Sequence, residues 1–137
     1  MTPEALAALH RAAFATERAW SADEFRSLID SPHCHLTSDT HGFALWRAVA
    51  DEAELLTIAT HPDHQRQGVA RSLMQQWMRA AARTASTAFL EVAADNAAAI
   101  ALYGQFGFDV MARRVGYYKR ADHAADALIM RASLPPT

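Results

Sequence analysis

The run Leu55-Leu56-Thr57-Ile58-Ala59 has apolar side chains on both of its alternating faces. An extended segment of that kind belongs inside a sheet that is covered on both sides. His61-Pro62-Asp63-His64 breaks it, and Gln65-Arg66-Gln67-Gly68-Val69-Ala70 follows as a turn with one glycine. From there Val69, Leu73, Trp77 and Ala81 recur at helical spacing, which predicts a long amphipathic helix over about 69–82. A central strand, a tight turn and a helix in that order commit the chain to a layered α/β architecture.

The remaining segments fit around this unit. Thr2-Pro3-Glu4 reads as a helix start, with a cap, a proline in the first turn and an acid at the positive end of the dipole. Ser21 and Glu24 form a capping box, and Trp20 with Phe25 fits a hydrophobic staple around it. Beyond Pro32 the texture turns to strands: His35 to Thr37, Phe43 to Val49, and Glu54 to Thr60, the last two an antiparallel pair. Ala88 to Val92 predicts another short strand, and Asp95-Asn96 opens a helix that Gly107 ends. Phe108 to Tyr118 and Ala127 to Arg131 are the last strands, and Leu134 to Thr137 is expected to fray. No repeat or linker divides the 137 residues, so one domain spanning 1–137 is expected.

Composition excludes several function classes. A net charge of −2 and a pI of about 6.4 argue against a nucleic-acid partner. A single cysteine, Cys34, cannot build a disulfide framework or a four-cysteine zinc site, and it suits a reducing cytosol. No run approaches the roughly 20 apolar residues of a membrane span. His33-Cys34-His35 points its side chains apart on an extended chain, so no metal is expected. His61 and His64 are read as solvated turn residues.

Chemistry concentrates at residues 65–71. Gly68 lets backbone approach a ligand closely, Ala70 is nearly as small, and the helix head supplies unpaired N–H groups. With Arg66 and Arg71 nearby, this can be a nest for a phosphate or pyrophosphate. It can equally be a tight turn whose glycine serves geometry alone. Neither a Walker loop nor a GxGxxG dinucleotide loop is present.

Gln65 to Ala70 resembles the Gln/Arg-x-x-Gly-x-Gly/Ala motif of the GNAT superfamily of N-acetyltransferases. Leu90-Glu91-Val92 continuing through Asn96 to Leu102-Tyr103, Gly107-Phe108, Arg113-Arg114-Val115-Gly116-Tyr117-Tyr118 and Asp126 to Met130 are similar to the bacterial ribosomal-protein-alanine N-acetyltransferases. The chain departs from that pattern twice. It opens on a helix where members begin with a strand, and Gly116 stands where they tend to carry a side-chain amide.

The resemblance implies a mostly antiparallel central sheet with helices on both faces and a V-shaped opening between two central strands, one of them bulged. It implies acetyl-CoA as donor and no metal. The donor's diphosphate would lie on Arg66, Gln67, Gly68, Val69, Ala70 and Arg71, and its amide-rich arm on the edge of Ile58, Ala59 and Thr60. Asn96 would hold that arm, or serve only as a helix cap. Glu91 would accept the amine's proton and Tyr103 would protonate the leaving thiolate; otherwise they are a solvated strand-end acid and a packing aromatic. One of Tyr117 and Tyr118 would line the acceptor groove, overhung by the loop from Lys119 to Asp126. The implied acceptor is a protein N-terminal α-amine, as on a ribosomal protein, with a small-molecule amine or lysine side chain as the alternative, and a non-catalytic acyl-CoA-binding module as a third. An α-amine of pKa 7.7–8.0 is roughly a tenth neutral at pH 7, a lysine only about 0.04%, so the former needs less help. The expected assembly is a monomer or weak dimer.

Overall fold

The computed structural model describes residues 1–14 and 19–135. Two helices come first, α1 (Pro3–Ala13) and α2 (Ala22–Ile29), followed by strands β1 (Cys34–Ser38), β2 (Gly42–Val49) and β3 (Glu52–Thr60). A 3-10 turn (Pro62–His64) leads into α3 (Val69–Ala81), then β4 (Thr87–Ala93), α4 (Ala97–Gln105), β5 (Asp109–Lys119) and β6 (Ala124–Ser133). The six strands form one sheet in the order β1-β2-β3-β4-β6-β5, in which only β3 and β4 run parallel. The parallel pair follows from chemistry already visible in the chain, since α3 is the crossover that returns it to the same end of the sheet.

The caps form as the residues dictate. Thr2 Oγ1 accepts from the Ala5 N–H at 3.0 Å, and Ser21 and Glu24 exchange both bonds of a capping box at 3.1 Å. The rings of Trp20 and Phe25 lie 5.5 Å apart, as a staple requires. Helices cover both faces. Leu6, Leu9 and Phe25 of α1 and α2 pack on Phe43, Leu45 and Ala59. On the other face Leu73, Met74 and Trp77 of α3, with Tyr103 of α4, meet Trp46, Leu55, Leu90, Val92 and Leu128. Strict alternation along β2 sends Phe43 and Leu45 to one layer and Ala44 and Trp46 to the other.

β3 departs from that regularity. Leu45 pairs with Thr57 and Trp46 with Leu55, so Leu56 is an extra residue with no partner on β2. This is a β-bulge, and it flips the alternation: Ile58 packs on the same layer as Leu55, three residues earlier. The ladder to β4 covers only Glu52–Leu55 against Thr87–Leu90. Beyond Leu55 the two strands part, and Leu56, Thr57 and Ile58 are half-buried instead of enclosed. The interior strand therefore has the expected neighbours, but one of its edges is open over its last residues.

One glycine sets how closely α3 approaches the sheet. A Cβ on Gly42 would stand 2.6 Å from the Ala59 carbonyl oxygen and 3.2 Å from Val69 Cγ1 and Leu73 Cδ1. The carbonyl belongs to a sheet ladder and cannot yield. Gly42→Ala should cost about 1–3 kcal/mol as overpacking, read as a melting temperature several degrees lower in a thermal scan. An unchanged Tm would mean that α3 rides further from β2.

The end of the chain differs from expectation. Leu134 is 6% exposed and its N–H donates to the Ser86 carbonyl at 2.8 Å, so order extends past β6 because an apolar side chain finds the core. Residues 136–137 lie outside the described residues. No helix among the described residues is long and apolar enough to cross a membrane.

Candidate active site

α3 begins unlike its neighbours. Thr2, Ser21 and Asn96 each accept a backbone N–H at the head of α1, α2 and α4, whereas Gly68, at the head of α3, makes no side-chain cap. The Gly68 carbonyl takes the Ser72 N–H at 3.0 Å, and the N–H groups of Val69, Ala70 and Arg71 belong to the first helical turn, which has no intrahelical acceptors. Gly68 has φ +84°, and Arg66, two residues before it, has φ +62°. Nothing lies within 4 Å of the Cβ position on Gly68, so space does not demand a glycine there. The left-handed backbone does, and it leaves the helix head open. Residues 65–68 are all exposed.

The two arginines go different ways. Arg66 is exposed beside the loop. The Arg71 guanidinium reaches across to Gln105 Oε1 and lies 5.9 Å from the Phe106 ring centre, tying the start of α3 to the end of α4. Only its backbone N–H stays with the helix head. Gln65 Nε2 donates to the Thr60 carbonyl at 3.4 Å, which connects the loop to the open edge of β3. Ile58, Ala59 and Thr60 pair with Ala44, Phe43 and Gly42 on β2, and none has a partner on β4. The His61 side chain is 45% exposed, as a solvated turn residue, whereas the His64 ring stacks on His41 at 3.6 Å, because the 3-10 turn folds back over the start of β2. Among the described residues no group of three His, Cys, Asp or Glu is placed to hold a metal.

On the other side of the opening, Glu91 and Tyr103 stand on opposite faces of β4. Leu90 and Val92 face the layer that holds Tyr103, so alternation sends Glu91 the other way. The Glu91 side chain is 29% exposed, and Arg114 Nη1 of β5 lies 3.7 Å from its Oε1. Glu91 and Arg114 line a hollow of about 720 Å³ with Arg47, Glu54, Phe89 and Ile129. Tyr103 is 7% exposed, its ring 6.2 Å from that of Phe108. Burial, and secondarily Tyr118, pushes its phenol up to about 12, so its O–H is retained at neutral pH. Asn96 Oδ1 accepts from Ala99 N at 3.2 Å, so it is a cap, and its amide NH2 is left to donate elsewhere.

The paired tyrosines are set by a second irregularity. Arg114 pairs with Ala127 and Tyr118 with Ala125, so Val115, Gly116 and Tyr117 all lie opposite Asp126. Gly116 has φ +64°, its N–H donates to Asp126 Oδ1 at 2.8 Å, and Arg113 holds the other oxygen at 2.7 Å. Left-handed backbone is tolerated best by glycine, so the residue at 116 suits the turn the chain makes here. The two tyrosine rings are perpendicular, at 89°. Tyr117 is 50% exposed beneath the Arg114 guanidinium, on the side of Glu91. Tyr118 lies against Arg120 and acts electrostatically on Tyr103.

Sequence reasoning gives no site role to Arg114, to Asp126 or to the charged group Asp95–Arg120–His123. Their partners are distant in the chain, and no local spacing announces them.

The family model described as "Acetyltransferase (GNAT) family" matches residues 4–108. The chain belongs to this family. As a GNAT acetyltransferase it is an enzyme of the acyltransferase class. It is 40% identical over 116 residues to the "[Ribosomal protein bS18]-alanine N-acetyltransferase" of Escherichia coli K12, covering 81% of this chain and 78% of that protein. The crystal structure of the ribosomal-protein-S18-alanine N-acetyltransferase from Escherichia coli superposes with a TM-score of 0.88 at 35% identity, over 99% of this chain and 89% of that one. Arabidopsis thaliana NAA60 in complex with acetyl-CoA shares the fold, with a TM-score of 0.82 at 17% identity over 97% of this chain and 93% of the other. The α/β sheet expected from the resemblance is the GNAT fold.

Proposed function

We propose that this GNAT enzyme moves an acetyl group from acetyl-CoA to the N-terminal α-amine of a protein, a ribosomal protein being the favoured class, by direct attack in a ternary complex. One observation carries the reading: Glu91 and Tyr103 flank the strand opening from opposite faces of β4. Donor and acceptor can then enter from opposite sides and meet in the gap, each with a proton-handling group on its own side.

Residues of this chain fit the donor. The uncapped head of α3 offers N–H groups from Val69 to Arg71 to a diphosphate, and the left-handed turn at Gly68, with exposed Arg66 beside it, leaves that head open. The unpaired edge at Ile58, Ala59 and Thr60 suits an amide-bearing arm, and the Asn96 NH2 adds a donor across the gap. On the acceptor side, Glu91 takes the proton of the attacking amine, directly or through a water, while Tyr117 and Arg114 line the approach. The new C–N bond forms as the C–S bond breaks, and the sulfur receives the Tyr103 hydroxyl hydrogen bond. Cys34 sits on β1, with β2 and β3 between it and the opening, so no thiol is at hand to hold the acyl group.

The similarity to relatives named for alanine N-acetylation on a ribosomal protein supports the acceptor class. A short peptide with a free N-terminal alanine should be acetylated at least about tenfold faster, in kcat/KM, than its N-blocked twin carrying a lysine, in line with the neutral fractions of the two amines. Double-reciprocal plots at several fixed acceptor concentrations should intersect. Parallel plots would remove the ternary complex, and preference for the blocked peptide would move the acceptor to lysine.

A further inference from the structure

The β5–β6 hairpin runs past the end of β4. Ala93, the last residue of β4, pairs with Ala127, and the hairpin continues beyond that point through residues 119–124. It therefore overhangs the turn 94–96, which joins the strand of Glu91 to the helix of Tyr103. Its root is tied by the Ala94 N–H to the Asp126 carbonyl at 2.8 Å, and its tip is closed by the Arg120 N–H to the His123 carbonyl at 2.8 Å.

A single carboxylate on the turn binds the tip. Asp95 Oδ1 is 3.1 Å from Arg120 Nη2, and Asp95 Oδ2 is 3.5 Å from His123 Nε2. The Arg120 side chain is only 9% exposed, its guanidinium 5.3 Å from the Tyr118 ring centre, so the arginine end of the contact is packed. The other His123 nitrogen, Nδ1, lies 2.6 Å from Asp122 Oδ1. A ring with a carboxylate at both nitrogens can donate to both only as the imidazolium.

We propose that Asp95, gripped by Arg120 and His123, is a latch that holds the hairpin over the acceptor entrance, making it a positioning residue for acceptor binding. This rests on the reading that the acceptor enters beside Glu91 and Tyr117. Breaking the latch frees the overhang, so the acceptor loses affinity while the donor, bound at the head of α3 and the edge of β3, keeps its own. The ionisable groups facing His123 are Asp122 on its own hairpin and Asp95 on the turn, with Arg120 on the second oxygen of Asp95. The hydrogen bond to Asp122, then that to Asp95, raises the His123 pKa above its ordinary value. The latch is thus complete below about pH 6.5 and weakens as pH rises through the raised value.

Asp95→Ala should raise the KM for a peptide acceptor on the order of five- to tenfold, with kcat and the KM for acetyl-CoA within about twofold. In His123→Gln the KM ratio to wild type should exceed one at pH 6 and fall towards one by pH 9. Titration of the acceptor amine cancels in that ratio, since both enzymes see the same peptide. Arg120→Ala breaks the latch from the hairpin side and should reproduce Asp95→Ala if the turn itself folds poorly without Asp95. An acceptor KM unchanged from wild type in both Asp95→Ala and Arg120→Ala, or a His123→Gln ratio that is flat with pH, would overturn the latch. If no peptide is acetylated, the proposed acceptor fails, and deuterium uptake at 119–124 then decides the latch: faster exchange in Asp95→Ala supports it, equal exchange sinks it.

Discussion

Tyr103→Phe should lower kcat by about ten- to a thousandfold, the usual range for a proton-handling side chain, while acetyl-CoA affinity stays within about twofold. The substitution removes one oxygen and leaves the ring against Phe108 and the layer of Trp77 and Leu128 untouched. Folding should therefore be unaffected, which separates chemistry from packing. The phenol held near 12 is neutral throughout the working range, so wild-type activity should not fall between pH 7 and 10 through loss of this proton. Complete transfer to a thiolate of ordinary pKa, near 8.5, is uphill by several kcal/mol. The main contribution is thus a hydrogen bond to sulfur as charge develops, in a dry setting where such a bond counts most. Thiol release measured at saturating substrates, with calorimetry for the donor, checks both halves. An unchanged kcat would make Tyr103 a packing residue.

Gly68→Glu should weaken acetyl-CoA binding by about a hundredfold or more. Two effects act together. An L-residue at φ +84° costs roughly 1–2 kcal/mol, and a carboxylate at the head of α3 competes for the same N–H groups as the diphosphate. Each charged hydrogen bond lost is worth about 1.5–3 kcal/mol. Gly68→Asn is the control, because asparagine tolerates that backbone and adds no charge, and its affinity should stay within several-fold of wild type. Circular dichroism would verify that α3 forms in both. If the glutamate variant binds the donor as tightly as wild type, the helix head is not where the diphosphate sits.

Much of the fold was legible because it follows local rules. The caps at Thr2, Ser21 and Asn96, the helical spacing from Val69 to Ala81 and the turn before Gly68 each depend on residues within one or two turns of chain. The bulge at Leu56 carries no such mark: neither a glycine nor a proline sits there, and the extra residue shows only against its partners on β2. For the same reason the open edge at Ile58 to Thr60 came from family resemblance and not from periodicity. Arg71 illustrates a different limit. Its place beside the phosphate-sized loop is visible in the sequence, whereas its bond to Gln105, 34 residues away, is not. Gly116 departs from the resembled pattern in residue type, and only the structure shows the left-handed turn it serves. The faces of Tyr117 and Tyr118 depend on how three residues fit opposite Asp126, and the hold of Asp95 on His123 spans 28 residues, so neither follows from spacing.

The brief ladder between β3 and β4 divides the domain along a seam. Backbone bonding across it is confined to Glu52–Leu55 with Thr87–Leu90 and the Ser86 N–H to the Asp51 carbonyl. What keeps the two halves cooperative is the helix laid over that line: Trp77, Leu73 and Met74 touch a layer to which β2, β3, β4 and β6 all contribute. Clamped by side chains as well as by that short ladder, the sheet can stay parted at one end without coming undone, which is how a slot for chemistry persists in the middle of so small a molecule.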